Sequence, residues 1–149
     1  MPLQDLTPVY ADMQDTVIRA DEPWIQQSPR TSVKVLFIGS ETGTWASMHH
    51  WKKGVAVPPH KHLGAAHVYI ISGKLQGRDY VLNPGDYVYE PSGMLHDVTT
   101  ALEDTTYLFI SHGPVILFDE NGLKHFTNWE VMERLRAANA PLPQAAAAD

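Results

Sequence analysis

His60 and His62 are separated by a single lysine, and His96 closes the run Pro91-Ser92-Gly93-Met94-Leu95-His96. Imidazole is the commonest metal-binding side chain, and a histidine site needs its rings delivered by rigid elements. In an extended segment, residues i and i+2 share a face, so His60 and His62 can chelate one ion while Lys61 points away. Pro58-Pro59 stiffens the chain just before them. His67 begins the next apolar segment and is open to three readings: a fourth ligand, a hydrogen-bond partner behind the ligands, or a lid over the pocket. His49 and His50 are adjacent, so at most one faces inward, and ordinary surface or core roles are expected for both. His112 and His125 lie in turn-rich surroundings and are expected to be unrelated to the site. Cysteine is absent, which excludes thiolate ligands, disulfides and cysteine nucleophiles.

The elements that must position these rings read as strands. Ser32–Ile38 is β-branched and aromatic, and Gly39 closes it. Further runs cover Thr44 to Trp51, His67 to Lys74, Asp79 to Leu82, Asp86 to Glu90, His96 to Thr99, Thr105 to Ser111 and Val115 to Asp119. Turn chemistry separates them: Asn83-Pro84-Gly85-Asp86, Pro91-Ser92-Gly93, His112-Gly113-Pro114 and Glu120-Asn121-Gly122. About eight or more short strands at such spacing predict a sandwich or barrel, and no interval could house a parallel crossover helix. One helix is predicted behind Thr127-Asn128-Trp129-Glu130, a Thr-x-x-Glu capping box, ending before Pro141. Residues 1–30 read as an irregular lead-in packed on the barrel, with a short strand near Thr16 to Arg19. Residues 31–140 read as one barrel with its C-terminal helix, and 141–149 as a flexible Pro/Ala-rich tail.

Composition narrows the function. The 149 residues carry 11 Lys+Arg against 17 Asp+Glu, for a net charge of −6. A negative field and the lack of any basic run argue against nucleic-acid binding. The apolar runs are too short to span a bilayer, and Met1-Pro2-Leu3-Gln4-Asp5 does not read as a signal peptide, so a cytoplasmic, non-membrane protein is expected.

The spacing is more specific than the count. Gly54, His60-x-His62 and Gly73 resemble the first motif of cupins. Asn83-Pro84-Gly85-Asp86 followed by Pro91-x-Gly93-x-x-His96 resembles the second. The resemblance spans roughly residues 31–120 and implies an all-β, double-stranded β-helix or jelly-roll-like barrel, with His60, His62 and His96 as metal ligands and His67 as a further candidate. It departs from the motif at one point. Most metal-binding cupins carry a glutamate four or five positions after the second histidine, where Ala66 and His67 stand here. That departure, with His60 to Tyr69, Tyr87 to His96 and Gly113 to Gly122, is similar to the small cupin dioxygenases that cleave acetylacetone or 2,4′-dihydroxyacetophenone. The resemblance implies Fe(II), with Zn or Ni as ions a purified sample could hold, and a small ketone or diketone plus O2 as substrates. It also implies Arg78 and Glu90 as polar catalytic residues beside the metal, and a homodimer or homotetramer. Two competing readings are another metal-cupin enzyme, an isomerase or hydrolase, and a metal-binding sensor module like the cupin half of zinc-dependent anti-sigma factors.

Overall fold

The computed structural model describes residues 15–139. The expected tail at 141–149 and the first part of the lead-in lie outside the described residues. Among the described residues, fourteen strands and one helix follow in order. They are β1 (Ile25–Ser28), β2 (Thr31–Gly39), β3 (Thr44–Trp51), β4 (Ala56–Val57), β5 (His60–His62), β6 (Ala66–Ser72) and β7 (Leu75–Gln76). Then come β8 (Val81–Leu82), β9 (Tyr87–Glu90), β10 (Leu95–His96), β11 (Thr99–Ala101), β12 (Thr105–Ser111), β13 (Val115–Asp119), β14 (Gly122–Thr127) and α1 (Trp129–Ala138).

The strands form three sheets, ordered β1-β2-β3-β12-β6-β9, β10-β5-β13-β14 and β4-β11-β7-β8. Every pairing is antiparallel. This is the expected all-β, jelly-roll-like architecture, built from three hydrogen-bonded sheets rather than one closed barrel. Period-2 alternation explains which faces meet. Ala66, Val68 and Ile70 of β6 are buried, whereas Tyr69 and Ile71 face solvent. Ile70, Trp51, Leu75 and Tyr107 form one core, and Val33, Val35, Trp45 and Met132 of α1 form another.

Two expectations about local structure change, and one strand is added. Thr16 to Arg19 is not a strand; the first strand is β1, held by pairing with β2. The helix cap is Asn128, whose side chain accepts from the Val131 amide at 3.0 Å, because Thr127 is still paired to Val115 in the sheet. The segment after Asn121-Gly122 is a strand, β14, hairpinned onto β13; its mostly exposed residues leave no alternation for a sequence reading to detect.

Candidate metal centre

Sheet pairing delivers the three histidines. β5 lies between β10 and β13, and its register sets His96 directly opposite His60. His60 and His62 are both buried and Lys61 is not, as the i, i+2 spacing requires. The ring centroids of His60 and His62 are 5.0 Å apart, those of His60 and His96 4.9 Å, and those of His62 and His96 5.7 Å. His60 Nδ1 is 2.9 Å from the Pro58 carbonyl, and His96 Nδ1 is 2.9 Å from the Asp97 carbonyl. Donation to those carbonyls fixes the tautomer that leaves each Nε2 lone pair free.

Glu90 comes from the six-stranded sheet and faces the histidines. Its Oε1 is 2.8 Å from His96 Nε2 and its Oε2 is 3.2 Å from His62 Nε2. These are close approaches without hydrogen-bond alignment: Glu90 Oε2, His96 Nε2 and both His62 ring nitrogens are buried and lack a hydrogen-bond partner. The carboxylate missing from the expected position is therefore supplied from the adjacent strand. Ala66 is fully buried and pairs directly with Glu90, so the methyl group at the motif position leaves room for the longer side chain beside it.

Charge follows from the surroundings. Burial lowers His62 to about 4 despite the pull of Glu90, and burial also lowers His60. Burial pushes the Glu90 carboxyl up, but His96, His62 and His60 outweigh it and hold it below the ordinary carboxylate range. The contact with Glu90 raises His96. The resting site thus holds an ionised carboxylate beside His60 and His62, which burial keeps neutral, and beside His96, whose protonated form the carboxylate favours.

Among the described residues, no group of three or more His, Cys, Asp or Glu is closed to ligating geometry. The donor set nevertheless fits a divalent ion. Orphaned buried nitrogens and a carboxylate oxygen are costly unless something satisfies them, and a cation among them would do so. His60, His62 and His96 are the residues that would hold it, with Glu90 alongside.

His67 and Arg78 are placed elsewhere, which corrects both expectations. The alternation that turns Ala66 and Val68 inward turns His67 outward, where it meets Tyr87, Tyr89 and His112. Arg78 lies not in a strand but in the turn between β7 and β8. Its side chain is 64% exposed and its Nε is 2.9 Å from Asp97 Oδ2. Its ion pair with Asp97 links it to His96, whose Nδ1 lies 2.9 Å from the Asp97 carbonyl.

The site opens into a cavity of about 240 Å³. Trp45, Trp51, Val68, Leu82, Tyr107 and Phe109 are among its walls, and Glu90 is its one carboxylate among the described residues. His49 also lines it, a placement that the sequence reading missed. Its signal was the alternation Trp45, Ser47, His49, Trp51 along β3, which puts His49 on the face of three buried residues. His49 stacks on Tyr107 with centroids 5.0 Å apart, and its Nε2 is 2.8 Å from Ser47 Oγ. His50 faces the other way, bonded to Thr106.

Burial lowers His49 to about 4, well below an unfolded histidine. The unfolded chain therefore binds more protons between roughly pH 6.5 and 4, and stability falls as pH drops through that window. The share carried by His49 is on the order of 3 kcal/mol when fully expressed. Urea unfolding at pH 7, 5.5 and 4.5 is expected to show His49→Phe losing less stability on acidification than the wild type. Equal slopes would place His49 in contact with bulk water.

Comparison with known proteins agrees with this fold. A family profile described as the ChrR cupin-like domain matches residues 13–116. The chain belongs to that cupin family. An RmlC-like cupin from Ralstonia eutropha JMP134 superposes with a TM-score of 0.79 at 22% identity, covering 92% of this chain and 96% of that one. Acetylacetone dioxygenase from Acinetobacter johnsonii gives a TM-score of 0.76 at 19% identity, over 85% of this cupin and 93% of that chain. The anti-sigma factor ChrR, in complex with SigE from Rhodobacter sphaeroides, gives 0.55 at 19% identity, over 74% and 67%. No curated protein sequence matches the cupin. At these identities the superpositions establish the shared fold. No helix among the described residues is long and apolar enough to cross a membrane.

Proposed function

We propose that this cupin is a metal-dependent dioxygenase that cleaves a carbon–carbon bond of a small β-diketone or hydroxyketone, with Fe(II) as its metal. The observation that carries the reading is the position of the site: three buried histidines and one ionised carboxylate at the wall of a small, largely apolar cavity. A sensor ion needs no such chamber, and a structural zinc prefers a closed set of four ligands. Fe(II) held there would supply Lewis acidity and the one-electron chemistry that O2 requires.

The chain's own residues set the conditions. A divalent ion with neutral His60, His62 and His96 and ionised Glu90 leaves a net positive site, which attracts the enolate form of a ketone. The cavity is smaller than the roughly 300–1,000 Å³ typical of drug-sized ligands, which favours a small substrate. Trp45, Trp51 and Phe109 exclude water and offer apolar contact to its alkyl or aryl ends. Glu90, whose carboxylate oxygens lie 3.2 Å from His62 and 2.8 Å from His96, tempers the charge.

Oxygen uptake by the Fe(II)-loaded protein against a panel of β-diketones and hydroxyacetophenones tests the proposal. Ketone and O2 are expected to disappear in equal amounts. Absence of uptake with every candidate, together with tight Zn(II) binding, would favour the sensor. Glu90→Gln keeps the shape and removes the charge. It is expected to lower turnover by roughly 10–100-fold while circular dichroism stays unchanged.

A further inference from the structure

On the outer face of the six-stranded sheet, one row of polar side chains crosses from Thr44 of β3 past His112 and His67 to Tyr87 of β9. The register pairs Ile110 with His67 and Ser111 with Ala66, which puts residue 112 diagonally across from residue 67 on the same face. His67 Nε2 and His112 Nε2 are 3.3 Å apart, with their rings edge to face. The other nitrogen of each ring is taken by a hydroxyl: His67 Nδ1 is 2.5 Å from Tyr87 Oη, and His112 Nδ1 is 3.2 Å from Thr44 Oγ1.

That arrangement has a chemical consequence. When each Nδ1–H donates to its hydroxyl, both Nε2 atoms turn lone pairs toward one another. A cation between them converts that repulsion into binding. Two imidazole nitrogens on one tetrahedral ion, each at roughly 2.0–2.1 Å, stand about 3.3 Å apart, which is the separation observed. The backbone supports the pair. The His112 amide donates to the Ala65 carbonyl at 2.8 Å. Gly64 packs so tightly on the following turn that a Cβ there would lie 2.5 Å from the Gly113 nitrogen. Hydroxyl groups orienting the far nitrogens are the outer support that ligand histidines usually carry.

We propose that His67 and His112 form a second metal site, an exposed two-histidine clamp for a borderline divalent ion such as Zn2+ or Cu2+. Imidazole favours these ions, and water completes the coordination. The clamp is independent of the interior centre: His67 faces away from His60, His62 and His96, and the two sites share no ligand.

Equilibrium dialysis of the full chain against micromolar Zn2+, with metal counted per chain, tests the clamp. His112→Ala and His67→Ala are each expected to bind one ion fewer than the wild type. His62→Ala is expected to retain the outer ion, so failure of the interior site would leave this result readable. Circular dichroism checks that the variants fold. As an independent measurement in a His62→Ala background, where the interior site does not compete, substoichiometric Cu2+ is expected to broaden the His67 and His112 imidazole resonances, and the broadening should vanish when His112→Ala is added. Unchanged stoichiometry in His112→Ala, or broadening confined to other histidines, would overturn the clamp and leave a simple histidine–histidine hydrogen bond.

Discussion

His62→Ala is expected to lose the interior metal, with affinity falling by more than about 100-fold, beyond the roughly 10–100-fold typical of residues that merely support a ligand. His62 is 1% exposed, and its ring lies within 6 Å of both His60 and His96, centroid to centroid. Both its nitrogens lack hydrogen-bond partners, so the ring contributes little to the metal-free fold beyond packing. The loss should therefore appear in metal binding rather than in folding. Wild-type protein should gain about 2.7 kcal/mol of stability when free metal is 100-fold above the Kd of the interior site, and at that metal concentration the variant should lose this gain. Thermal melts with and without metal, read beside metal analysis at nanomolar free ion, separate the effects. A variant that retains its tight ion would move the centre away from these histidines. Oxygen uptake should disappear together with the metal.

The largest expected loss of stability comes from Gly73→Ala. Gly73 has φ +80°, a conformation that costs a side-chain-bearing residue about 1–3 kcal/mol. A Cβ there would also lie 2.3 Å from the Asp104 carbonyl oxygen and 2.4 Å from Thr105 Oγ1. Thr105 cannot retreat: it is fully buried, and its hydroxyl accepts from the Lys74 amide while lying 2.8 Å from the Glu103 carbonyl. Strain and overpacking together predict a loss of about 4 kcal/mol, a large share of an ordinary domain's stability. Gly85→Ala is the control. Gly85 has φ +90° but nothing within 4 Å of its Cβ, so it should cost only the strain. Urea midpoints for the two variants give the contribution of the clash, and equal costs would show that the β6–β7 turn can move.

His60-x-His62 was legible because a two-residue period needs only an extended backbone to put both rings on one face. The strands Thr44–Trp51, Thr105–Ser111 and Val115–Asp119 were legible for a related reason: β-branched and aromatic runs bounded by turn residues carry their own local preference. β14 was not, because its exposed residues show no alternation and it forms by pairing with β13. Arg78 was misplaced for want of a strand boundary: two residues of difference separate a side chain in a sheet from one in an exposed turn.

By itself, the sequence determined the all-β class, the cupin motif spacing and the histidine pair on β5, since each depends on local periodicity and turn chemistry. The tertiary structure alone decided what stands opposite what. Register set His96 against His60 and Glu90 against Ala66, so the carboxylate absent from one strand arrived from its neighbour. The same alternation sent His67 outward to His112 and turned His49 into the cavity. Which face of a strand meets the core is fixed by pairing across the sheet, and a one-residue change in register reverses every side chain. Local alternation groups His49 with Trp45 and Trp51, and sets His67 on the other face from Ala66 and Val68, but pairing decides which of the two faces is inward.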